Sequence, residues 1–271
     1  MSPTPPKQSF AKRIRQFFAW SFSRFCDYRD CPAKAAYKHI DRLAPYAQND
    51  AEVNQLVEAR TKGKIKELPQ NTDAFIKGSV VHVMAEQFNK GRLKSLPAEL
   101  TTFKKEFVEL KKHTPSPEQQ WAFKADWTPT SWYAKDAWLR MILDAHYPKG
   151  DGKYKAIDYK TGKAPSTPDS KTPSWNNEKF YQHQEQREIY AIGIFLIYPD
   201  AVEVSCEHWY VDAGVEHKDT YTREKDFERL KTKWLKAVRP MMNDRSFVPK
   251  PSPSACKFCQ FKKADGGPCK Y

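Results

Sequence analysis

The period of apolar and polar positions changes repeatedly along this chain, and the clearest pattern lies at its middle. The run KYKAIDYK, Lys153–Lys160, alternates with a period of two and is built from β-branched and aromatic residues, which predicts a strand. Asp158 and Lys160 then share one face, and Ile157 and Tyr159 the other. Upstream, residues 138–147 are apolar through Leu139, Met141, Ile142 and Leu143 until Asp144 interrupts them. The PKGDG segment at 148–152 is strong turn chemistry, so the two runs are expected to form a hairpin that brings Asp144 beside Asp158.

Helical periods flank this hairpin. A helix opened by a Ser21 N-cap is expected to break at Pro32, just after Cys31. A short helix is expected over 53–59, followed by a loop closed by Pro69. Residues 75–90 read as an amphipathic helix with Phe75, Val81, Met84, Ala85 and Phe88 apolar and Gly91 as its stop. A further helix over 100–112 leads through a turn at 113–117 into a strand over 118–127, where Trp121, Phe123 and Ala125 alternate with polar residues. Beyond the hairpin come a Pro/Ser/Thr-rich loop (164–177), an amphipathic helix (181–198), an alternating strand (202–211) and a charged helix (224–242). The last of these turns Phe227, Leu230, Trp234, Leu235 and Val238 to the core.

At 271 residues and 39% hydrophobic, the chain can bury a sizeable core and fits one large domain, residues 21–271, preceded by a basic arm over 1–20 with Lys7, Lys12, Arg13 and Arg15. A net charge of +13 points to a polyanionic partner, of which nucleic acid is the obvious one. No apolar run reaches the roughly 20 residues of a membrane span, and the basic N-terminus lacks the apolar core of a signal peptide, so an intracellular, cytoplasmic location is expected. Three of the six cysteines fall in the tail SACKFCQFKKADGGPCKY, which reads as metal ligation rather than a disulfide framework. Cys256 and Cys259 make a tight pair, and a Gly-Gly-Pro turn can swing Cys269 back to them. Cys206, on a predicted core strand, reads as a small apolar filler.

Two carboxylates meeting at a sheet edge repel each other unless a divalent cation lies between them, and hard oxygen ligands suit Mg²⁺ or Mn²⁺. Lys160 adds a cation able to polarise a water or hold a phosphate. An aspartate, a hairpin-length gap and then Asp-Tyr-Lys resembles the signature of the PD-(D/E)XK nucleases, with Asp144 and Asp158 as acids and Lys160 as the lysine. Other motifs, in order, resemble its RecB/AddB-type members, including stand-alone phage and CRISPR-associated nucleases. GSVVH, residues 78–82, resembles the helix whose histidine, here His82, helps bind the metal. Gln186-x-x-x-Tyr190 resembles the motif that follows the lysine, and Cys31-Pro32 with Cys256, Cys259 and Cys269 resembles the four ligands of a 4Fe-4S cluster. The nine residues between Cys259 and Cys269 exceed the family's usual gap, which leaves zinc as an alternative and Cys26 as a substitute ligand. Glu118 resembles an acid of phage and RecB-like relatives, and Tyr159 joins the implied metal site.

This resemblance implies an α/β fold with a restriction-endonuclease-like core, a central mixed sheet flanked by helices, and terminal segments joined by the cysteine metal cluster. It implies a metal-dependent DNA nuclease, with end-directed digestion in DNA processing, recombination or degradation, and leaves room for a recombination or annealing partner protein. In a phage protein the location would be the host cytoplasm. Lys163, Lys171 and Trp175 make the 164–177 loop a candidate DNA-contacting flap. The alternatives are a structure- or site-specific endonuclease with the same chemistry, or a non-catalytic zinc-containing DNA-binding module. The absence of G-x-x-x-x-G-K-[ST] excludes a P-loop helicase engine in this chain.

Overall fold

The computed structural model describes residues 15–43, 50–113, 115–168 and 175–271. Lys7, Lys12 and Arg13 of the basic arm, and Lys171 of the flap, lie outside these residues. The chain divides into two compact units, Met1–Ala44 with Val238–Tyr271, and Pro45–Ala237.

The first unit opens with helices α1 (Phe22–Asp30) and α2 (Pro32–His39). The helix from Ser21 breaks at Pro32, which opens α2 in its first turn, where its missing N–H costs nothing. The Ser21 hydroxyl caps α1 by accepting the Arg24 N–H at 3.4 Å. Asp27 on α1 holds the pair together, since His39 and Lys38 each reach its carboxylate at 2.8 Å and Lys34 at 3.2 Å. Arg15, assigned to the arm, donates to Asp41 at 3.2 and 2.5 Å.

The second unit carries helices α3 (Asp50–Thr61), α4 (Ala74–Asn89), α5 (Lys104–Lys112) and α6 (Trp175–Ile197) around a six-stranded sheet. Its strands are β1 (Ser116–Phe123), β2 (Pro129–Thr130), β3 (Leu139–Gly150), β4 (Lys153–Lys160), β5 (Glu203–Tyr210) and β6 (Val215–Thr222), in the order β2-β1-β3-β4-β5-β6. Neighbours are antiparallel except β4 and β5, which are parallel and therefore need the crossover that α6 supplies. This is the mixed, helix-flanked sheet expected. On one face, Val81, Ala85 and Phe88 of α4 and Phe107 of α5 pack on Ala145, Tyr147, Ile157, Tyr159 and Trp209. On the other lies α6, so close at Gly193 that a Cβ there would meet Met141 at 2.6 Å. Helix α7 (Glu228–Asn243) follows β6, and the short α8 (Pro253–Lys257) belongs to the first unit.

Several expectations need correction. Strand β1 begins and ends earlier than 118–127, because Trp127 takes a left-handed φ of 70° that closes a turn. Strand β3 runs on through Pro148 to Gly150, leaving Asp151 and Gly152 as the tight turn, at φ 51° and 67°. Helix α6 starts at Trp175, inside the segment read as loop. Strand β6 was not expected, because VEHKDTYT is mostly polar and exposed on the sheet edge. Phe75 and Leu235 do not join the core but stand 63% and 41% exposed. Among the described residues no helix is long and apolar enough to cross a membrane.

Candidate active site

The ladder between β3 and β4 pairs Ala145 with Ile157, and continuing it by one step sets Asp144 opposite Asp158, as the hairpin required. Both aspartates are buried, at 7% and 4% exposure. From β4, Asp158 and Lys160 project toward α6, and they meet Gln186 and Tyr190, one helical turn apart on it. Lys160 Nζ lies 2.6 Å from Asp158 Oδ2 and donates to Gln186 Oε1 at 2.9 Å. Gln186 Nε2 in turn donates to Asp158 Oδ1 at 3.3 Å and to Tyr190 Oη at 2.7 Å, and Tyr190 Oη donates to the same Asp158 Oδ1. Four residues singled out by two separate motifs thus form one hydrogen-bonded group.

Asp144 is met from α4, and a break in the pleat accompanies its position. Met141 packs on Gly193 of α6, and His146 bonds Tyr198 Oη, just past that helix, at 2.6 Å. Residues five apart on an uninterrupted strand face opposite sides, so the alternation slips once between them. The β1–β3 register is the same before and after, with Gln119 opposite Leu143 and Pro117 opposite Ala145, so both strands take the irregularity together. Its seat is Glu118, which holds a left-handed φ of 52° that a side chain larger than glycine's adopts only at a cost. Beside the slip, Asp144 meets His82, whose Nδ1 lies 3.2 Å from Asp144 Oδ1. Asp144 Oδ2 accepts the Tyr159 backbone N–H at 2.7 Å.

His82, Glu118 and Asp144 each offer a ligand atom within 4.8 Å of the others, the one such trio of His, Cys, Asp or Glu among the described residues. Burial alone would depress the His82 imidazole, but Asp144, and behind it Asp158, outweigh burial and hold its pKa at about 9. Burial and then the Asp144 charge push Glu118 up to about 7. Asp158 is raised as well, chiefly by burial, against the pull of Lys160. Acids whose ionisation is resisted in this way favour a cation between them, and one imidazole with carboxylate oxygens is a donor set that Mn²⁺ and Mg²⁺ accept. The sequence placed Glu118 at a strand start with a lesser claim; its backbone strain and its place in the trio are visible only in the fold. The Tyr159 phenol is buried on the α4–α5 face, accepting from Asn89 Nδ2 at 3.0 Å, so what Tyr159 gives the site is its backbone N–H to Asp144.

In the first unit, Cys31, Cys256, Cys259 and Cys269 line one pocket with Tyr37, Phe261, Pro249 and Ala255. Cys31 Sγ accepts the Lys250 N–H at 3.4 Å, and the Cys269 N–H donates to the Phe261 carbonyl at 2.9 Å. Gly267 permits that return, because a Cβ there would lie 2.3 Å from the Phe261 carbonyl carbon. Cys26 is buried on α1, and Cys206 is fully buried on β5, as its reading as an apolar filler requires.

The solved structures that resemble the chain include SSO0001 and one from Eubacterium rectale. SSO0001 is 14% identical, with 92% of this chain and 87% of that chain covered and a TM-score of 0.39. The "Putative exonuclease" from Eubacterium rectale is 10% identical, with 98% and 93% covered and a TM-score of 0.45. No curated protein matches. The family model of the PD-(D/E)XK nuclease superfamily matches residues 19–264, which take in the aspartates, the lysine and the sheet that carries them, and the chain belongs to that superfamily.

Proposed function

We propose that this chain is a RecB/AddB-type deoxyribonuclease that hydrolyses DNA from its ends with Mg²⁺ or Mn²⁺, and that its four pocket cysteines hold a 4Fe-4S cluster. The observation that carries the nuclease reading is the meeting, across β3 and β4, of the His82–Glu118–Asp144 trio with the Asp158–Lys160–Gln186–Tyr190 group. The last four agree in identity and order with the RecB-type motifs.

Asp144, Glu118, His82 and Asp158 are the residues that would hold the divalent ion. When bound, that ion supplies charge to activate water and to stabilise the phosphate in the transition state. Lys160, held between Asp158 Oδ2 and Gln186 Oε1, lines a cleft with His82, Thr161, Lys163, Lys179 and His183. Its ammonium can hold a non-bridging phosphate oxygen or orient the attacking water there, while Lys163 and Lys179 supply backbone-binding charge. Gln186 and Tyr190 fix Asp158 through Oδ1 and leave Oδ2 turned to Lys160.

Four cysteines around one pocket with Tyr37 and Phe261 are a ligand set that a 4Fe-4S cluster accepts, and zinc on the same sulfurs is the alternative.

End-directed cutting is tested by incubating the full chain with linear and with covalently closed circular DNA, each with Mg²⁺, with Mn²⁺ and with chelator. Metal-dependent loss of the linear DNA alone is expected. Cleavage of both at similar rates would make the protein an endonuclease.

A further inference from the structure

Behind Asp158, on the α6 face of the sheet, lies a buried polar chain that the chemistry above does not use. Asp158 on β4 is in register with His208 on the parallel strand β5, and His208 is fully buried. Arg187 of α6 is 2% exposed; its Nε donates to Asp219 Oδ2 of β6 at 2.7 Å, and its Nη1 donates to His208 Nδ1 at 3.2 Å. A guanidinium has donors only, so His208 Nδ1 must be the acceptor and the ring proton must sit on Nε2. That Nε2 has no hydrogen-bond partner and lies 4.0 Å from Asp158 Oδ2, whose own partner is the Lys160 ammonium at 2.6 Å. A buried ring N–H without an acceptor is costly unless it finds one in some state of the protein, and Asp158 Oδ2 is the acceptor in front of it.

We propose that His208, fixed by Arg187 as the neutral Nε2–H tautomer, is a positioning residue that donates to Asp158 Oδ2 when Lys160 turns from that oxygen to the substrate phosphate. Closing the gap takes a shift of about 1 Å to reach ordinary hydrogen-bond length. The donor lets Lys160 leave without abandoning a buried carboxylate, as partners behind a metal ligand commonly do. The Arg187 donor at Nδ1 leaves that ring nitrogen without a proton, so the ring is neutral as the proposal needs. The inference rests on the metal-dependent nuclease reading, yet two of its readouts need no turnover.

The test uses the full chain. In ¹⁵N-histidine NMR, His208 is expected as the Nε2–H tautomer; an Nδ1–H tautomer would overturn the proposal. Mn²⁺ titration should show His208→Met, which lacks the donor, binding on the order of 10-fold more weakly, whereas His208→Gln, which keeps an N–H near the same place, restores most of that affinity. Single-turnover cleavage of linear DNA should follow the same order, with the loss in the rate rather than in DNA affinity. Equal Mn²⁺ affinity in His208→Met and wild type, or equal losses in both variants accompanied by lower melting temperatures, would reduce His208 to a packing residue. A wild type that binds Mn²⁺ as described yet cuts no DNA would instead overturn the nuclease reading and leave the tautomer and Mn²⁺ results standing.

Discussion

At the scale of single residues, the site is a matter of which buried charges have which neighbours. Glu118 and His82 face Asp144 from separate elements, so each is expected to tune metal binding rather than to fold the chain. Glu118→Gln should raise the Mn²⁺ concentration for half-maximal cleavage on the order of 10-fold with an unchanged melting temperature, and His82→Ala should act in the same direction. Metal titrations of cleavage check this, and an unchanged requirement in both would return the pair to a structural role. Asp144, Asp158 and Lys160 were legible in the sequence because residue spacing on a hairpin fixes which side chains meet. Glu118 was less so, since a left-handed backbone at a strand residue leaves no mark on composition. His208 left no signal at all: its significance comes from a parallel neighbour 50 residues away in the sequence.

Elements were legible where a period was strong. Helices α4 and α6, the β3–β4 hairpin and β5 all occur as the apolar pattern required, because each buries a face against another layer. Phe75 and Leu235 departed from that pattern because they sit outside the packed stripe of their helices. Strand β6 escaped notice because an edge strand needs little apolar surface. The α1–α2 pair carries a pH prediction. Burial acts to raise the Asp27 pKa, but hydrogen bonds from His39 and Lys38 and the charge of Lys34 outweigh it and hold the carboxylate well below its usual value of 3.8. A depressed carboxylate stabilises the folded chain above its unfolded pKa, and that contribution is lost as pH falls through the folded value. Asp27→Asn should therefore lower the melting temperature by a constant amount above about pH 5, by an amount corresponding to about 3 kcal/mol for a broken buried pair, with the gap to wild type closing below about pH 4. Melting curves from pH 3 to 8 check the sign; a gap that widened in acid would contradict it.

For the whole molecule, the pocket cysteines come from both ends of the chain within one unit, and a group bound there only by the folded form would add its binding free energy to stability. Protein purified without oxygen is expected to carry about four iron and four acid-labile sulfide per chain, and Cys31→Ser, Cys256→Ser, Cys259→Ser or Cys269→Ser should lose both and melt lower, unlike Cys206→Ser. One zinc and no iron would replace the cluster with a zinc site. The net charge of +13 suits a polyanion, and the superfamily's chemistry makes DNA the substrate expected. All of this turns on the Asp144–Asp158–Lys160 group being the place of hydrolysis. The most direct measurement is the single-turnover rate of linear DNA cleavage with Mn²⁺ for wild type, Asp144→Ala, Asp158→Ala and Lys160→Ala, at matched DNA binding. Each substitution is expected to slow cleavage by about 10²-fold or more. A rate near wild type in any one of them, with DNA bound normally, would contradict the assignment.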